Sequence, residues 1–383
     1  METQTNMQAV ATMKGVDATK LEKDLSKMWA EASTTKEGQA AGIVRACVLN
    51  LVVYASREQR EEVNNLLEDV TKRNPCRAIV LICDREAAEA KLEATASTRC
   101  QLSPRGVNQI CGEQITIEAG GAVVERAATA VSPLLVPDVP VFLWWKDIPH
   151  YEDKLFNDLA AMADRVVIDS ASFDQPHQDL LRLAQILKTG KLRLSDLNWG
   201  RLTSWRTLVA SFWDVADYRA SLAEIESIRI EYDPPDASHD EIAPKALVAL
   251  GWIASCLGWE VEADGSSFDG KEARFRLRGG GRVIEAAVVA GDDVAGRDGM
   301  ITSLTIKTVR GDEFYVELRL EEGKLRTGAR LAGDGGHTVG RVLGYEARSE
   351  GQRLNSELDI LTRDTLYESA VALAAEMLGA LKK

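Results

Sequence analysis

Four histidines, His150, His177, His239 and His337, stand far apart, with no HxH or HExxH spacing. Zinc sites draw ligands at short, fixed separations, so a metal centre would have to be assembled from distant segments. The six cysteines, Cys47, Cys76, Cys83, Cys100, Cys111 and Cys256, include no CxxC pair and lie in no nucleophile motif. No GxSxG elbow occurs. Asp and Glu number 59, too many for a catalytic pair to stand out. The stretch Tyr54-Ala-Ser-Arg57 after the first buried strand holds no glycine, so neither a dinucleotide fingerprint nor a Walker loop is present. Gly333-Asp-Gly-Gly-His337 is glycine-rich but falls between strands and reads as a hairpin turn. Arg274, Arg276 and Arg278 alternate along one segment. They could grip an anion, but the plainer reading is a solvated strand face paired with facing glutamates. No catalytic residue, cofactor-binding residue or metal ligand is assigned, and the residues argue against an enzyme.

Tryptophan placement is more informative. Of eight, Trp144, Trp145, Trp199, Trp205 and Trp213 fall within seventy residues of one another. Trp144 and Trp145 end a strand, where successive side chains point to opposite faces, so one of the two is expected near a surface or seam. Leu202, Trp205, Val209 and Phe212 follow helical spacing and read as a buried stripe. Arg201 and Arg206 lie off that stripe beside tryptophans, the composition of protein-interface anchors. Trp144, Trp145, Arg201 and Arg206 are therefore the candidate partner-binding residues.

The elements that position them alternate along the first half. Residues 17–31 read as an amphipathic helix capped by Asp17. Ile43 to Tyr54 is a buried strand, followed by a helix opening at Ser56 with Gln59 as its capping box. Arg77 to Cys83 is a second buried strand, completing a βαβ unit. Further strands are expected at 114–118, 141–145 and 165–169, with helices over 121–135, 151–163, around Leu180–Leu187 and over 198–213. After Asp233-Pro-Pro-Asp236 the texture changes to strict alternation, as in Phe314, Val316, Leu318 and Leu320, with glycine turns between. A helix runs through Leu247–Leu257, and another from about Thr365. The fold expected is α/β: a mainly parallel-sheet α/β domain over 1–222, then an α+β domain with an antiparallel meander over 223–383.

Length and charge bound the partners. The chain has 383 residues, 45% hydrophobic, with a formal net charge of −13, so nucleic acid and anionic membranes are unfavourable partners. The opening residues lack an apolar run, and Val131 to Trp145 is too interrupted by prolines to span a bilayer. These features point to a cytoplasmic protein. Cys100 and Cys111 flank a connection and could face each other across neighbouring strands. A reducing compartment favours six free thiols instead.

Four segments carry a resemblance. Asn74-Pro-Cys-Arg-Ala-Ile-Val80, Leu134-Leu-Val-Pro-Asp-Val-Pro-Val-Phe-Leu-Trp-Trp145, Asp164-Arg-Val-Val-Ile-Asp-Ser170 and Asp196-Leu-Asn-Trp-Gly-Arg-Leu-Thr-Ser-Trp-Arg206 stand in the family's order. Together they resemble the OpcA family, the glucose-6-phosphate dehydrogenase assembly proteins, over about residues 40–215. The resemblance implies a non-catalytic partner of glucose-6-phosphate dehydrogenase in the oxidative pentose phosphate pathway. Such a partner promotes the active oligomer and carries no cofactor of its own. Thioredoxin control through cysteines near the C terminus, known in cyanobacterial members, is in doubt because no cysteine follows Cys256. Two other readings stay open. One is a small sugar-phosphate enzyme or sensor using the crevice at the carboxyl ends of the parallel strands; the other is a structural scaffold.

Overall fold

The computed structural model describes residues 8–14, 16–34, 43–102, 109–235, 240–332, 338–345 and 348–381. The glycine-rich stretch 333–337 and Asp236 lie outside the described residues. Two compact units are present. The first holds residues up to Ile168 together with Lys191–Ser195 and Ser349–Arg363; the second holds Asp169–Gly190, Asp196–Arg348 and the residues from Asp364 on. Among the described residues no helix is long and apolar enough to cross a membrane.

The first sheet contains β1 (Gln8–Lys14), β2 (Ile43–Arg45), β3 (Leu49–Ser56), β4 (Cys76–Asp84), β5 (Lys91–Leu102), β6 (Gln109–Gly120), β7 (Val141–Trp145), β8 (Arg165–Ile168) and β9 (Leu194–Asp196). Its order is β1-β5-β6-β4-β3-β7-β8-β9, with β2 added beside β6. From β3 the chain winds outward through β4 and β6 on one side and through β7 and β8 on the other, all parallel. Leaving out the antiparallel β5, this is the doubly wound dinucleotide-fold order, with its reversal between β3 and β7. β3 and β4 are buried almost throughout, as strands covered on both faces must be. Helix α1 (Ala18–Thr34) starts where expected, Asp17 accepting from the Lys20 N–H at 3.1 Å. Helix α2 (Arg60–Arg73) begins later than expected. Gln59 turns its side chain back to accept from Ser56 N–H at 2.9 Å and no Ser56 side-chain cap forms. Helix α3 (Lys154–Ala160) is capped by Asp153.

Three sequence expectations are corrected here. Ile43–Tyr54 is not one strand but two, parted at Cys47. Residues 121–135 are helical as three short pieces, Gly121–Arg126, Ala128–Val131 and Ser132–Leu134, rather than one helix. Six free thiols do not hold either: Cys111 is disulfide-bonded, with Cys100 directly opposite it in the β5–β6 ladder. Cys47, Cys76, Cys83 and Cys256 are free.

The second unit is built on β10 (Ile225–Tyr232), β11 (Glu260–Val261), β12 (Ser267–Phe268), β13 (Glu272–Gly279), β14 (Arg282–Ala290), β15 (Ile301–Thr308), β16 (Glu313–Arg319), β17 (Lys324–Arg330), β18 (Thr338–Val339) and β19 (Val342–Gly344). The order is β11-β13-β14-β10-β15-β16-β17-β18, and every pairing is antiparallel except β10 with β14. Phe275, Leu277, Ile284, Val288, Ile306, Phe314 and Val316 face the core. On the other face Arg274 pairs with Glu272, Arg276 with Glu285 and Arg278 with Glu262. The arginine row is a solvated, ion-paired face. The helices of this unit are α4 (Pro176–Lys188), α5 (Leu197–Arg201), α6 (Thr203–Ser211), α7 (Pro244–Cys256) and, after α8 (Glu350–Leu358) of the first unit, α9 (Thr365–Ala380).

The domain boundary expected at 222 therefore does not match the compact units. Sequence texture changes around Pro234–Pro235 because the strands of the second sheet, from β10 on, lie to either side of it. Compactness follows helix packing, and α4, α5 and α6 pack on α9, α7 and β16.

Candidate functional site

Trp144 and Trp145 end β7, at the reversal point of the first sheet. Both are 1% exposed, so the expectation that one lies near a surface is corrected: the end of β7 is buried on both faces. Trp145 stacks on Tyr54 of β3, ring centroids 3.8 Å apart and planes 11° from parallel, and meets the edge of Phe156 at 5.1 Å. Trp144 has the Lys146 ammonium over its ring at 4.6 Å, within cation–π range.

The two strand exits are sewn together. Lys146 N–H donates to Tyr54 O at 3.0 Å, and Gln59 Nε2 donates to Lys146 O at 3.1 Å. Cations at these strand ends have carboxylate partners. Arg85 meets Asp153 at 2.6 Å, Lys146 bridges Glu62 and Glu350 at 3.1 and 2.9 Å, and Arg60 pairs with Glu118. Burial pushes the Tyr54 hydroxyl and the Cys83 thiol up to about 12, so both stay protonated at neutral pH. A pyrophosphate at this position needs glycine-lined backbone N–H groups and unpaired positive charge. Here Gln59 ties the two strand ends together.

The other two predicted residues lie in the second unit, in a polar cluster at the start of three helical segments. Arg201 holds Asp169 in a fork, with Nη1 to Oδ1 at 2.6 Å and Nη2 to Oδ2 at 2.7 Å. The Arg206 guanidinium lies over the Trp199 ring at 3.6 Å, and Trp199 Nε1 donates to Asp364 at 2.8 Å. Asp196, buried at 1% exposed, accepts from Ser170 N–H (2.9 Å), Ser170 Oγ (2.6 Å), Asn198 N–H (2.8 Å) and Tyr367 OH (2.9 Å). Burial, reinforced by the Asp169 charge, raises the Asp196 carboxyl. Burial and Asp196 hold the Tyr367 phenol well above its usual range, so it remains a donor. Asp169, Asp196 and Asp364 each cap the turn or helix that follows.

The polar cluster around Arg201 also holds Asp364 and Tyr367, which sequence reasoning did not single out and whose only signal is an aspartate placed to cap an apolar helix. Trp205 and Phe212 are core residues, as expected. The single helix expected over 198–213 breaks at Leu202, which lets Trp199 and Arg206 meet from separate helices.

The family described as "Glucose-6-phosphate dehydrogenase subunit N-terminal domain" matches residues 67–185, and its counterpart for the C-terminal domain of the same dehydrogenase subunit matches 192–371. The chain belongs to the OpcA family. The OxPP cycle protein OpcA of Nostoc punctiforme is 37% identical over 196 residues, 51% of this chain and 40% of that one. The OpcA of Synechococcus elongatus is 29% identical over 315 residues, 80% of this chain and 68% of its own. The chain thus spans less than half the length of the Nostoc OpcA. A solved NAD-binding oxidoreductase of Klebsiella pneumoniae shares the fold, with a TM-score of 0.50 at 11% identity, covering 88% of this chain and 96% of that one.

The OpcA segments now have structural explanations. Arg77 of the first is buried, donating to Glu113 at 2.8 and 2.6 Å and to Leu134 O at 2.9 Å, and it also pairs with Glu22. In the second, Val136 is bracketed by the buried Asn50 amide at 2.9 and 2.8 Å, fixing the approach to β7. The third and fourth OpcA segments meet at Asp169–Arg201 and Ser170–Asp196.

Proposed function

We propose that this chain is a non-catalytic subunit that binds glucose-6-phosphate dehydrogenase in the cytoplasm and favours its active oligomer in the oxidative pentose phosphate pathway. The observation that carries the reading is the ordered match to both of the family's domains over 67–185 and 192–371. The sewn strand ends support it, since the place where a dinucleotide fold holds its cofactor is bridged by Gln59. NADP and glucose 6-phosphate then belong to the partner enzyme. An activator of this kind binds the active form more tightly than the inactive one, and a swing from 1:99 to 99:1 needs about 5.5 kcal/mol of differential affinity. Arg201 and Arg206, half-buried and pre-oriented by Asp169 and Trp199, are proposed as the contact. Trp144 and Trp145, having no surface to present, hold the strand ends from within.

The test is gel filtration and initial-rate kinetics of glucose-6-phosphate dehydrogenase with and without this chain. Co-elution and a raised rate are expected. Separate elution with an unchanged rate would overturn the reading, and calorimetric binding of glucose 6-phosphate by this chain alone would favour the sensor.

A further inference from the structure

Residues 127–145 carry a single charge, Asp138, although 27% of the whole chain is charged. Much of the stretch is core, but residues 135–140, the approach to β7, reach the surface of the first unit. Pro137 and Asp138 are exposed, and Leu135, Val136, Val139 and Pro140 are half-buried. Surface connections are ordinarily polar and mobile. This one is apolar and held from beneath. The Asn50 side chain, fully buried, donates to Val136 O at 2.9 Å and accepts from Val136 N–H at 2.8 Å. Its backbone N–H donates to Pro140 O at 2.8 Å, and Arg77 Nη1 donates to Leu134 O at 2.9 Å.

Between those anchors Asp138 takes φ +62°, the only positive value at a non-glycine among the described residues. Proline followed by a left-handed residue is the arrangement of a type II turn, whose third position usually holds glycine or asparagine. An aspartate there is retained at some cost to the backbone. Two prolines, a strained turn and a buried asparagine bonded to both backbone groups of Val136 fix this tip before any partner arrives. Such preorganisation removes the ordering cost of binding, and exposed apolar surface marks contact sites. The near absence of charge also suits the approach of another protein. Two copies of a chain of net charge −13 repel each other.

We propose that the loop 135–140 docks the dehydrogenase, with Pro137 and Val139 entering an apolar groove on that enzyme and Asp138 meeting a hydrogen-bond donor at its edge. The inference rests on the reading of this chain as the dehydrogenase's subunit. It adds a contact in the first unit to the arginines of the second.

The test is hydrogen exchange of the full chain with and without glucose-6-phosphate dehydrogenase, alongside affinities of loop variants for that enzyme. Slowed exchange over residues 134–142 in the complex is expected. D138R and V139E should each weaken binding about tenfold or more, with melting curves like that of the wild type. P137A keeps the loop apolar but loosens the turn, and should weaken binding by a smaller factor. D138R changes an exposed side chain, so its result stands even if V139E folds poorly. If the wild type binds while the loop amides exchange unchanged and D138R binds normally, this inference falls and the subunit reading stands. If the wild type does not bind, both fall. Slowed exchange of the loop on concentrating this chain alone would assign it to a second copy and overturn the proposal.

Discussion

Arg77 and Glu113 are each 4% exposed in their side chains, and Trp29 Nε1 donates to the same glutamate at 2.7 Å. Removing one partner of a buried pair strands the other's charge, which costs about 3–5 kcal/mol. R77A should lose that much in urea denaturation. His177 behaves differently. Its Nε2 accepts from Ile242 N–H at 2.7 Å, and burial lowers its folded pKa below 6.5 despite the opposing charge of Glu241. The native state therefore binds this proton less readily than the unfolded chain. The stability it contributes is complete above pH 6.5 and falls away as the pH drops through the folded pKa. Denaturation at pH 7.5 and 5.5 should show a smaller loss in H177Q than in the wild type. Arg206 bears on the proposed contact. Truncating a central arginine anchor costs about 2 kcal/mol, roughly thirtyfold in affinity. R206A should weaken dehydrogenase binding by that order while its melting curve stays cooperative; unchanged affinity would place the contact elsewhere.

Helices α7 and α9 touch backbone to backbone at Gly251, where a Cβ would lie 2.2 Å from Ala370 O. Overpacking of this kind costs about 1–3 kcal/mol, so G251A should melt lower than the wild type. At Gly379, near the end of α9, a Cβ would meet nothing; G379A should gain up to about 1 kcal/mol from helix propensity. The pair separates close approach from propensity in one calorimetric series. Elements with large apolar residues at regular spacing were legible in the sequence: α1, β4, β7, β8 and the strands around Phe314. The β5–β6 hairpin was largely hidden because Lys91–Leu102 alternates Ala, Ser and Thr rather than bulky residues, leaving little period-two contrast. The parallel β10–β14 pair escaped because local alternation is blind to the direction of the neighbouring strand. That Arg206 would lie against a tryptophan was legible, the ring being that of Trp199, whereas Arg201 pairs with Asp169. Burial of both Trp144 and Trp145 was not, since a strand end gives no hint that both faces are covered.

At the scale of the whole molecule, the segment Ser349–Arg363 belongs to the first unit although more than a hundred residues of the second precede it. Helix α8 sits on α2, with Asn74 Nδ2 donating to Asn355 at 2.8 Å, Asn355 Nδ2 donating to Asp69 O at 3.1 Å, and Arg73 pairing with Asp359. Leu354, also on α8, is fully buried. A variant ending at residue 348 should therefore lose stability in the first unit as well as α9 in the second. Hydrogen exchange should show α2 amides deprotected; unaltered α2 protection would contradict this. The same segment sets an order of events during synthesis. Ribosomes deliver about 5–20 residues per second, so after Ile168 emerges its unit waits roughly 10–40 seconds for the residues that cover α2. Throughout that interval the face of α2 that α8 later covers is open to chaperones, and codon choice across the intervening stretch becomes a determinant of yield.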